Sequence, residues 1–431
     1  MDTHPAPGSS LHLRSNIRHL YADVAWYGVL AGSSIAFLSV FAARLGASGF
    51  ELAWVAAGPG LANLAFSLPF GRWLERRRLD RATSLASVWH RAAFLMIIPL
   101  PWILTQAGQI RALLIPIFLM SIPGTLLAIG FNALFADLVP ADWRAQIVGR
   151  RNALLSVATA GTSLLCGAVL DRVAFPGNYQ IVFGIGFAGA ALSSNHLSRL
   201  RQVSSQPPPV AFPLPRTTSP IPEPSTQGQL EPRRGRPWPL APARRPLMRL
   251  DLLRGPFGPL LAAFLMFYTS QYLPIPFFPL LWVRDLRLTD GAISIGNSLF
   301  YLTNLLSSML LDRAIARLGN HRLLFLRGLT YGLYPILQSF SQDVTLFWIA
   351  SIGGGFVWAM VSGTLFNRLM ERVPENDRPA HMALHNIVLN GGILLGSMAG
   401  PGLASRMGLR KTLLFAGFLR VAAGALLGLW G

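Results

Sequence analysis

Polar side chains that could bind a small molecule stand inside one long apolar run of the sequence. Tyr268, Gln271 and Tyr272 fall within residues 256–283, and three prolines follow them within seven positions. Prolines spaced this closely remove backbone N–H donors and break a helix, which frees carbonyl oxygens for other partners. The pattern predicts a broken helix with hydrogen-bonding groups at the break, although the same side chains could instead bond neighbouring helices.

Charged side chains inside apolar runs are the next candidates, because each costs about 2.5–3.5 kcal/mol near the centre of a bilayer. Arg420 lies mid-way along a run that is too short to slide, whereas Arg91 and Arg327 could extend to the nearer interface. Each could contact a ligand or bridge two helices.

A polar stripe with a histidine is a candidate for coupling to protons, because imidazole titrates near neutral pH. It consists of His385, Asn386 and Asn390 within residues 381–404, and hydrogen bonding to a neighbouring helix would explain it equally well. A buried carboxylate is the more usual proton carrier. None is expected here, because the aspartates of these regions fall near the ends of apolar runs: Asp23, Asp137, Asp171, Asp251 and Asp312.

No set of residues typical of an enzyme stands out in the sequence. It has no phosphate-binding G-x-x-x-x-G-K loop, so direct use of ATP is not expected. Cys166 is the only cysteine, which excludes an intramolecular disulfide and a cysteine metal site. We expect no catalytic residues, no metal and no cofactor.

The composition indicates a membrane protein. Of the 431 residues, 52% are hydrophobic and only 13% are charged, and the mean hydropathy is +0.45. A soluble domain carries roughly 25% charged residues. The net charge of +19 comes almost entirely from arginine, with Lys411 as the only lysine, and the arginines lie between apolar runs rather than along one helix face. This spacing argues against a nucleic-acid partner.

Apolar runs of about twenty residues match the length of a helix that crosses a bilayer. We therefore expect an all-α integral membrane protein with about 12 transmembrane helices. The predicted spans are 22–43, 50–70, 84–104, 111–136, 150–170, 179–197, 256–283, 290–311, 321–340, 343–367, 381–404 and 411–430.

The distribution of basic residues predicts the orientation of these spans, because cytoplasmic loops are enriched in arginine and lysine. With both termini inside, the inner segments hold 26 basic residues and the outer loops hold 8. Three of the outer eight, Arg406, Arg410 and Lys411, precede the last span and fit the rule poorly. The chain is predicted to be a multi-pass protein of the cytoplasmic membrane, with both termini cytoplasmic.

Two segments fall outside the predicted helical halves, which cover 22–197 and 256–431. Residues 1–21 are polar and form the predicted cytoplasmic N-terminal tail. Residues 198–255 are rich in proline and arginine and are predicted to be a cytoplasmic linker, since such a stretch cannot bury enough apolar surface to fold. A tether is its expected role, and a regulatory role stays open.

The two halves repeat each other at several positions, which predicts two pseudo-symmetric six-helix bundles. A proline, an arginine four residues later and an asparagine twelve residues later precede the fifth span of each half. The two triplets are Pro140, Arg144 and Asn152, and Pro374, Arg378 and Asn386.

In the loops that follow the second and eighth spans, the chain resembles the major facilitator superfamily. That family has glycine, Asp-Arg, a second glycine and basic residues there, and the resemblance implies a gating loop that latches the two halves. The matching residues are Arg72 and Arg76 after the second span, and Asp312, Arg313, Gly319 and Arg322 after the eighth. The first copy lacks the aspartate. A glycine run through Gly392, Gly396 and Gly400 also resembles a family motif, but close helix packing explains it adequately.

The resemblance implies that the first, fourth, seventh and tenth spans surround a central cavity and that the third, sixth, ninth and twelfth lie outside. It therefore favours a helix bridge over a substrate contact for Arg91, Arg327 and Arg420, which fall on outer spans. Polar residues on the four cavity spans then become candidates for contacting a substrate. They are Ser33 and Ser34 on the first span, Asn132 on the fourth, Tyr268, Gln271 and Tyr272 on the seventh, and Trp358 and Ser362 on the tenth.

The resemblance further implies a secondary transporter that moves a small solute by alternating access, as a monomer in the lipid bilayer. A co-transported ion, the identity of the solute and the direction of transport stay open. The alternatives are a receptor or scaffold of the same fold without transport and, less favoured, an enzyme embedded in the membrane.

Overall fold

The computed structural model describes residues 7–201, 250–255, 257–318, 328–374 and 378–430. In the first half, α1 comprises Pro7–Leu30, a π-helical segment Ala31–Ile35, and Ala36–Arg44. α2 is Gly49–Leu74. α3 comprises Leu79–Ala92, a 3₁₀ segment Ala93–Ile97, and Leu100–Ile103. The remaining helices of this half are α4 (Gln106–Leu138), α5 (Ala141–Arg172) and α6 (Gly177–Ser198).

The second half begins with α7, which comprises Phe257–Tyr272, Phe277–Leu280 and a π-helical segment Leu281–Asp285. The helices that follow it are α8 (Asp290–Leu318), α9 (Leu333–Phe340), α10 (Val344–Arg372), α11 (Arg378–Met407) and α12 (Leu409–Trp430). Within the described residues, each of the twelve predicted spans therefore overlaps one helix or one interrupted helix.

Eight of the helices in the described part of the chain are long and apolar enough to cross a membrane. They are α1, α2, α4, α5, α7, α10, α11 and α12. Of the other four, α3 is divided into three segments and α9 has eight residues, Leu333–Phe340.

The two halves pack alike. α1 packs against α5 and α6 as α7 packs against α11 and α12. α2 and α3 both pack against α4, as α8 and α9 pack against α10. Adding six to each helix number thus reproduces the packing, which confirms the predicted pair of pseudo-symmetric six-helix bundles.

The interface between the bundles repeats the same symmetry, because α5 packs against α8 and α2 packs against α11. Small side chains bring α5 and α8 close together. Ser163 Oγ donates to the carbonyl oxygen of Ser294 at 3.4 Å, and Ser298 Oγ donates to that of Ala160 at 2.9 Å. A side chain at Gly167 would collide with Ser294.

Close approach of α7 and α11 accounts for the glycine run. A Cβ atom at Gly392 would collide with Tyr268, one at Gly396 with the Thr269 carbonyl, and one at Gly400 with Phe277. The helix axes can approach this closely only because these positions have no side chain.

The bundles are joined by polar contacts at the end of the molecule that carries the α1–α2 and α7–α8 connections. Arg44 Nη2 lies 3.0 Å from Asp290 Oδ1 and donates to the Leu288 carbonyl at 2.6 Å. Arg284 donates to the Ala47 carbonyl at 2.7 Å. Gly291 N donates to Asp171 Oδ1 at 2.9 Å. We call this set of contacts the end latch.

An apolar cluster drawn from both bundles lies at the end latch. Phe41 and Tyr179 of the first half and Phe277 and Trp282 of the second are each at most 8% exposed within it. Towards the opposite end, Asn386 Nδ2 on α11 lies 3.5 Å from Ser67 Oγ on α2. The described polar contacts between the bundles are thus concentrated at the end latch and sparse towards the other end.

The end of α1 depends on a glycine. Gly46 has a φ of +95°, and the N–H groups of Gly46 and Ala47 donate to the carbonyls of Ala43 and Ala42 at 3.1 and 2.9 Å. This backbone conformation is costly for residues with a side chain. At its other end α1 begins at Pro7, so most of the segment predicted as a tail continues the helix.

Candidate functional site

The break in α7 exposes two backbone carbonyls. Pro274 has no N–H to donate to the Ser270 carbonyl, which lies four residues earlier. The N–H of Ile275, which would reach the Gln271 carbonyl in a continuous helix, donates to Tyr272 at 3.3 Å instead. The predicted break is therefore present, and it leaves the Ser270 and Gln271 carbonyls without helical donors.

Arg420 from α12 supplies the missing donors. Its Nε donates to the Ser270 carbonyl at 3.3 Å and its Nη2 to the Gln271 carbonyl at 2.7 Å. Its guanidinium carbon lies 4.8 Å from the centre of the Tyr331 ring, a cation–π distance. Only 5% of the residue is exposed. Arg420 thus bridges α12 to α7, as the family resemblance favoured.

Two cavities in the second half meet at Gln271 and Trp358. The first, of about 180 Å³, is lined by Arg420, Tyr331 and Tyr334 together with these two residues. The second, of about 200 Å³, is lined by a largely different set. Its polar and aromatic members are Phe264, Tyr268, Gln271, Trp358, Ser362 and His385.

Hydrogen bonding in the second cavity fixes the histidine. His385 Nε2 and the Tyr268 hydroxyl are 2.9 Å apart, which ties α11 to α7. The Gln271 side-chain oxygen is buried and has no hydrogen-bond partner among the described atoms. The second half therefore offers an amide, a tyrosine–histidine pair and a guanidinium around neighbouring cavities.

A larger cavity, of about 410 Å³, lies within the first half and is lined by residues from each of the helices α1 to α6. Its neutral polar walls include Asn63, Thr125 and His90. Thr125 Oγ1 donates to Asn63 Oδ1 at 2.8 Å, and His90 Nδ1 lies 2.8 Å from the Met120 carbonyl oxygen. These side chains are held in place by the protein and can present their remaining polar atoms to a solute.

Three charged residues share one wall of this larger cavity. Asp23 Oδ1 lies 3.5 Å from Arg91 Nη2, and Asp23 Oδ2 lies 3.6 Å from Arg151 Nη2. Asp23 and Arg91 are 4% and 5% exposed, respectively. The expectation that no carboxylate is buried was therefore wrong, and so was the idea that Arg91 extends to the interface.

Helix length explains why the sequence missed this charged cluster. Asp23 stands at the start of the predicted span 22–43 and Arg151 at the start of 150–170, so both fell near predicted span ends. The helices begin earlier, α1 at Pro7 and α5 at Ala141, which places both residues within helices that face the bundle interior. Arg91 inside an apolar run was the available signal, since a buried cation needs a partner.

The predicted site residues divide into those that line a cavity and those that do not. Tyr268, Gln271, Trp358, Ser362 and His385 line the second-half cavities. Tyr272 neighbours the break but lines neither cavity.

Two predicted candidates on α1 take part in helix packing instead. Ser33 donates to the Val29 carbonyl at 2.6 Å, and both Ser33 and Ser34 are fully buried where Gly186 of α6 comes closest. Asn132 on α4 is exposed and lines none of the cavities described above.

The residues of the polar stripe on α11 face two different regions of the molecule. Asn390 Nδ2 donates to the backbone carbonyl of Asn386 at 2.8 Å and to its side-chain oxygen at 3.1 Å. Asn386 Nδ2 lies 3.5 Å from Ser67 Oγ on α2, across the interface between the bundles. His385 therefore faces the second-half cavity, while Asn386 faces the other bundle.

The residues of the predicted gating loops lie at the end opposite the end latch. Arg72 and Arg76 are exposed at the end of α2, and Arg313 is exposed near the end of α8. Asp312 lies within α8. Gly319, Arg322 and the Arg327 of the predicted ninth span lie outside the described residues, as does most of the predicted linker.

The packing that repeats after six helices is the arrangement implied by the family resemblance, and a sequence comparison agrees with it. The sequence model of the Major Facilitator Superfamily matches residues 260–431. The second half of the chain therefore resembles the Major Facilitator Superfamily in sequence. No curated protein sequence matches the chain.

Solved structures extend the superfamily fold to the first half. An aspartate-to-alanine mutant of the nucleoside transporter NupG superimposes with a TM-score of 0.69 at 12% identity, covering 96% of this chain and 99% of NupG. The xylose transporter XylE from E. coli, in a partially occluded inward-open conformation, gives a TM-score of 0.66 at 12% identity, covering 95% and 96%. At this identity the similarity establishes the fold.

A third structure covers nearly the whole chain. A bacterial homologue of the iron transporter ferroportin in an inward-facing state gives a TM-score of 0.65 at 13% identity, covering 99% of this chain and 98% of that chain. The chain is thus a multi-pass membrane protein with the fold of superfamily transporters.

Proposed function

We propose that the chain is a secondary transporter that moves a small solute across the cytoplasmic membrane by alternating access, without direct use of ATP. The observation that carries the proposal is the asymmetry of the contacts between the two bundles. Most of the described polar contacts between them lie at the end latch, and we call the opposite end, where such contacts are sparse, the separated end. A molecule that rocks between two states needs an interface of this kind, closed by polar contacts that can break.

The cavities supply the place where a solute would bind. In the proposed cycle a solute enters the space between the bundles from the separated end and contacts Gln271, Trp358 and Ser362 in the second half. Asn63 and Thr125 offer contacts in the first half. The bundles then close around the solute and separate at the end latch, which releases it on the other side.

The related structures do not select the solute. NupG is a nucleoside transporter, XylE is a xylose transporter, and the third structure is a homologue of an iron transporter. The same fold thus accommodates solutes of unrelated chemistry, so the substrate class has to be argued from this chain's own cavities.

Orientation assigns a side to each end of the molecule. If both termini are cytoplasmic, as the arginine distribution predicts, the end latch lies at the outer face and the separated end opens to the cytoplasm. The structure then corresponds to an inward-facing state. The ferroportin homologue is in an inward-facing state, and XylE is in a partially occluded inward-open conformation.

Counterflow in proteoliposomes is the direct test of transport. Vesicles loaded with a panel of unlabelled solutes, with and without pH and sodium gradients, should accumulate the labelled form of at least one of them. Binding of a solute without any counterflow would support the receptor or scaffold alternative instead.

Locking the end latch tests alternating access. Thr289 Oγ1 lies 3.3 Å from Asp171 Oδ2, so Asp171→Cys with Thr289→Cys, in a Cys166→Ala background, should form a disulfide upon oxidation. Because the latch must open in every cycle, we expect oxidation to reduce counterflow at least tenfold and a reductant to restore it.

A cross-link within one bundle is the matched control. The His19 and His196 Nδ1 atoms are 3.0 Å apart on α1 and α6. His19→Cys with His196→Cys should cross-link without slowing counterflow, because both helices belong to the rigid first half. If counterflow continues after the cysteines at positions 171 and 289 have formed their disulfide, transport does not require the two bundles to separate at the end latch.

A further inference from the structure

Arg420 carries a charge that nothing in the described part of the chain neutralises. It forms no ion pair with any described carboxylate, and its partners are two carbonyl oxygens and an aromatic ring. Carbonyl dipoles solvate a guanidinium but leave its full positive charge in place. With 5% exposure, Arg420 keeps this charge away from water.

One nitrogen of this guanidinium is free to bind a ligand. Nε and Nη2 donate to the carbonyls, whereas Nη1 has no hydrogen-bond partner among the described atoms. Arg420 lines the cavity of about 180 Å³ together with Gln271. The Gln271 amide, whose oxygen also lacks a described partner, can turn its Nε2 donor towards an anion beside Arg420.

Most of the remaining walls of this cavity are aromatic, and Ile275, Gly354 and Val357 complete them. The aromatic residues are Phe278, Phe300, Tyr331, Tyr334 and Trp358. An apolar cavity of ~150 Å³ is large enough to hold benzene. A space of about 180 Å³ with a cation on one wall and aromatic rings on the others therefore fits a flat ring that carries one acidic group.

We propose that the cavity against Arg420 binds the carboxylate of a small aromatic acid, with the carboxylate on Arg420 and Gln271 and the ring among the aromatic walls. This assignment of a substrate class rests on the transporter function proposed above. A single unbalanced cation matches one carboxylate. A phosphate dianion would bring a second negative charge that this site does not balance.

The first half contributes the same sign of charge. Its cavity holds Arg91 and Arg151 against Asp23, and both ion pairs are long, at 3.5 and 3.6 Å. Two guanidiniums against one carboxylate leave one positive charge in excess. Each half thus holds one net positive charge at its own cavity, which favours anions over cations there.

Equilibrium dialysis of the purified full chain in detergent, with radiolabelled benzoate, tests the assignment. We expect saturable binding. Benzamide, which has the same shape without the charge, should compete at least tenfold more weakly than unlabelled benzoate. Inorganic phosphate should not compete.

Three substitutions assign the binding to this cavity. Arg420→Gln should weaken benzoate binding at least tenfold, whereas Arg420→Lys, which keeps the charge, should weaken it less. Arg406→Gln makes the same chemical change at an exposed residue and should bind as the wild type does. Loss of binding in Arg91→Gln with retention in Arg420→Gln would place the anion in the first half and overturn the proposal.

Arg420 also holds α12 to α7, so a second variant guards against misfolding. Gln271→Leu removes the side-chain amide and leaves both Arg420 contacts intact, because these use backbone carbonyls. It should weaken benzoate binding several-fold. Unchanged binding in Gln271→Leu, equal affinity for benzoate and benzamide, or no benzoate binding by the wild type overturns the proposal.

Failure of this proposal differs from failure of the transporter function. If a neutral solute shows counterflow and benzoate does not bind, the proposed aromatic-acid substrate is wrong and the proposed transporter function stands. If benzoate binds and no solute shows counterflow, the proposed transporter function is wrong and the proposed anion site stands.

Discussion

Asp23 lies between the buried Arg91 and the partly buried Arg151 of the first half and balances part of their charge. Its Oδ1 also accepts a hydrogen bond from Ser193 Oγ. Asp23→Asn retains an oxygen for that hydrogen bond but removes the charge, so it leaves Arg91 and Arg151 uncompensated. Breaking a buried ion pair costs about 3–5 kcal/mol. We expect a loss of stability of this order, measured as a lower midpoint of thermal unfolding in detergent.

The control for this change is Asp142→Asn, since Asp142 is exposed on α5. It should unfold at the wild-type temperature. A variant Asp23→Asn with Arg151→Gln should recover part of the lost stability, because it removes one of the two uncompensated cations. Identical unfolding midpoints for Asp23→Asn and Asp142→Asn would show that the long ion pairs of Asp23 contribute nothing to the stability of the protein.

The sequence predicted some functional candidates better than others, and the reason is physical. Gln271 and Tyr268 were identified because they stand just before closely spaced prolines, and such prolines predict a broken helix from sequence alone. Asp23 and Arg151 were missed because a charge near the end of an apolar run has the same sequence pattern as a loop residue. Whether such a charge is buried depends on how far its helix continues beyond the apolar run, and packing between helices decides that.

At the scale of helices, the contact between α7 and α11 sets the geometry of the second half. α11 lies against the segment of α7 that leads into its break, so the distance between the two helices positions Tyr268 and the carbonyls that Arg420 binds. The glycine run was interpreted from sequence as close packing, and the structure confirms this at three successive turns.

Gly396→Ala should disturb this contact. The added methyl group would collide with the Thr269 carbonyl, and overpacking of this kind costs about 1–3 kcal/mol. Gly391→Ala is the matched control, because nothing lies within 4 Å of the Cβ position there. Thermal unfolding in detergent should show a lower midpoint for Gly396→Ala and no decrease for Gly391→Ala. Equal midpoints would mean that α11 can shift away from α7 without a loss of stability.

At the scale of the whole molecule, the number of helices and their duplication were predictable because a bilayer imposes one length on every span. The contact between the bundles was not predictable, since α5 and α8 are far apart in sequence and meet through single residues such as Gly167 and Ser294. The end latch likewise joins Arg44 to Asp290, and neither residue carries a motif that points to the other.

Arg410 is one of the three basic residues that fit the orientation rule poorly, and it has structural partners. Arg410 Nη1 donates to the carbonyls of Ser339 and Ser341 at 3.1 and 2.6 Å, and its Nε lies 3.4 Å from Asp285 Oδ2. This arginine therefore holds the start of α12 to the connection between α9 and α10. Its charge is partly balanced, so it opposes the predicted orientation less than a free arginine would.

Orientation can be tested with single cysteines, because Cys166 is the only native one and is buried. In a Cys166→Ala background, Ser405→Cys at the end of α11 and Asp142→Cys at the start of α5 place exposed thiols at opposite ends. A membrane-impermeant maleimide should label Ser405→Cys in intact cells and Asp142→Cys only after the membrane is permeabilised. The reverse pattern would place the end latch at the cytoplasmic face, so the state described here would open outward.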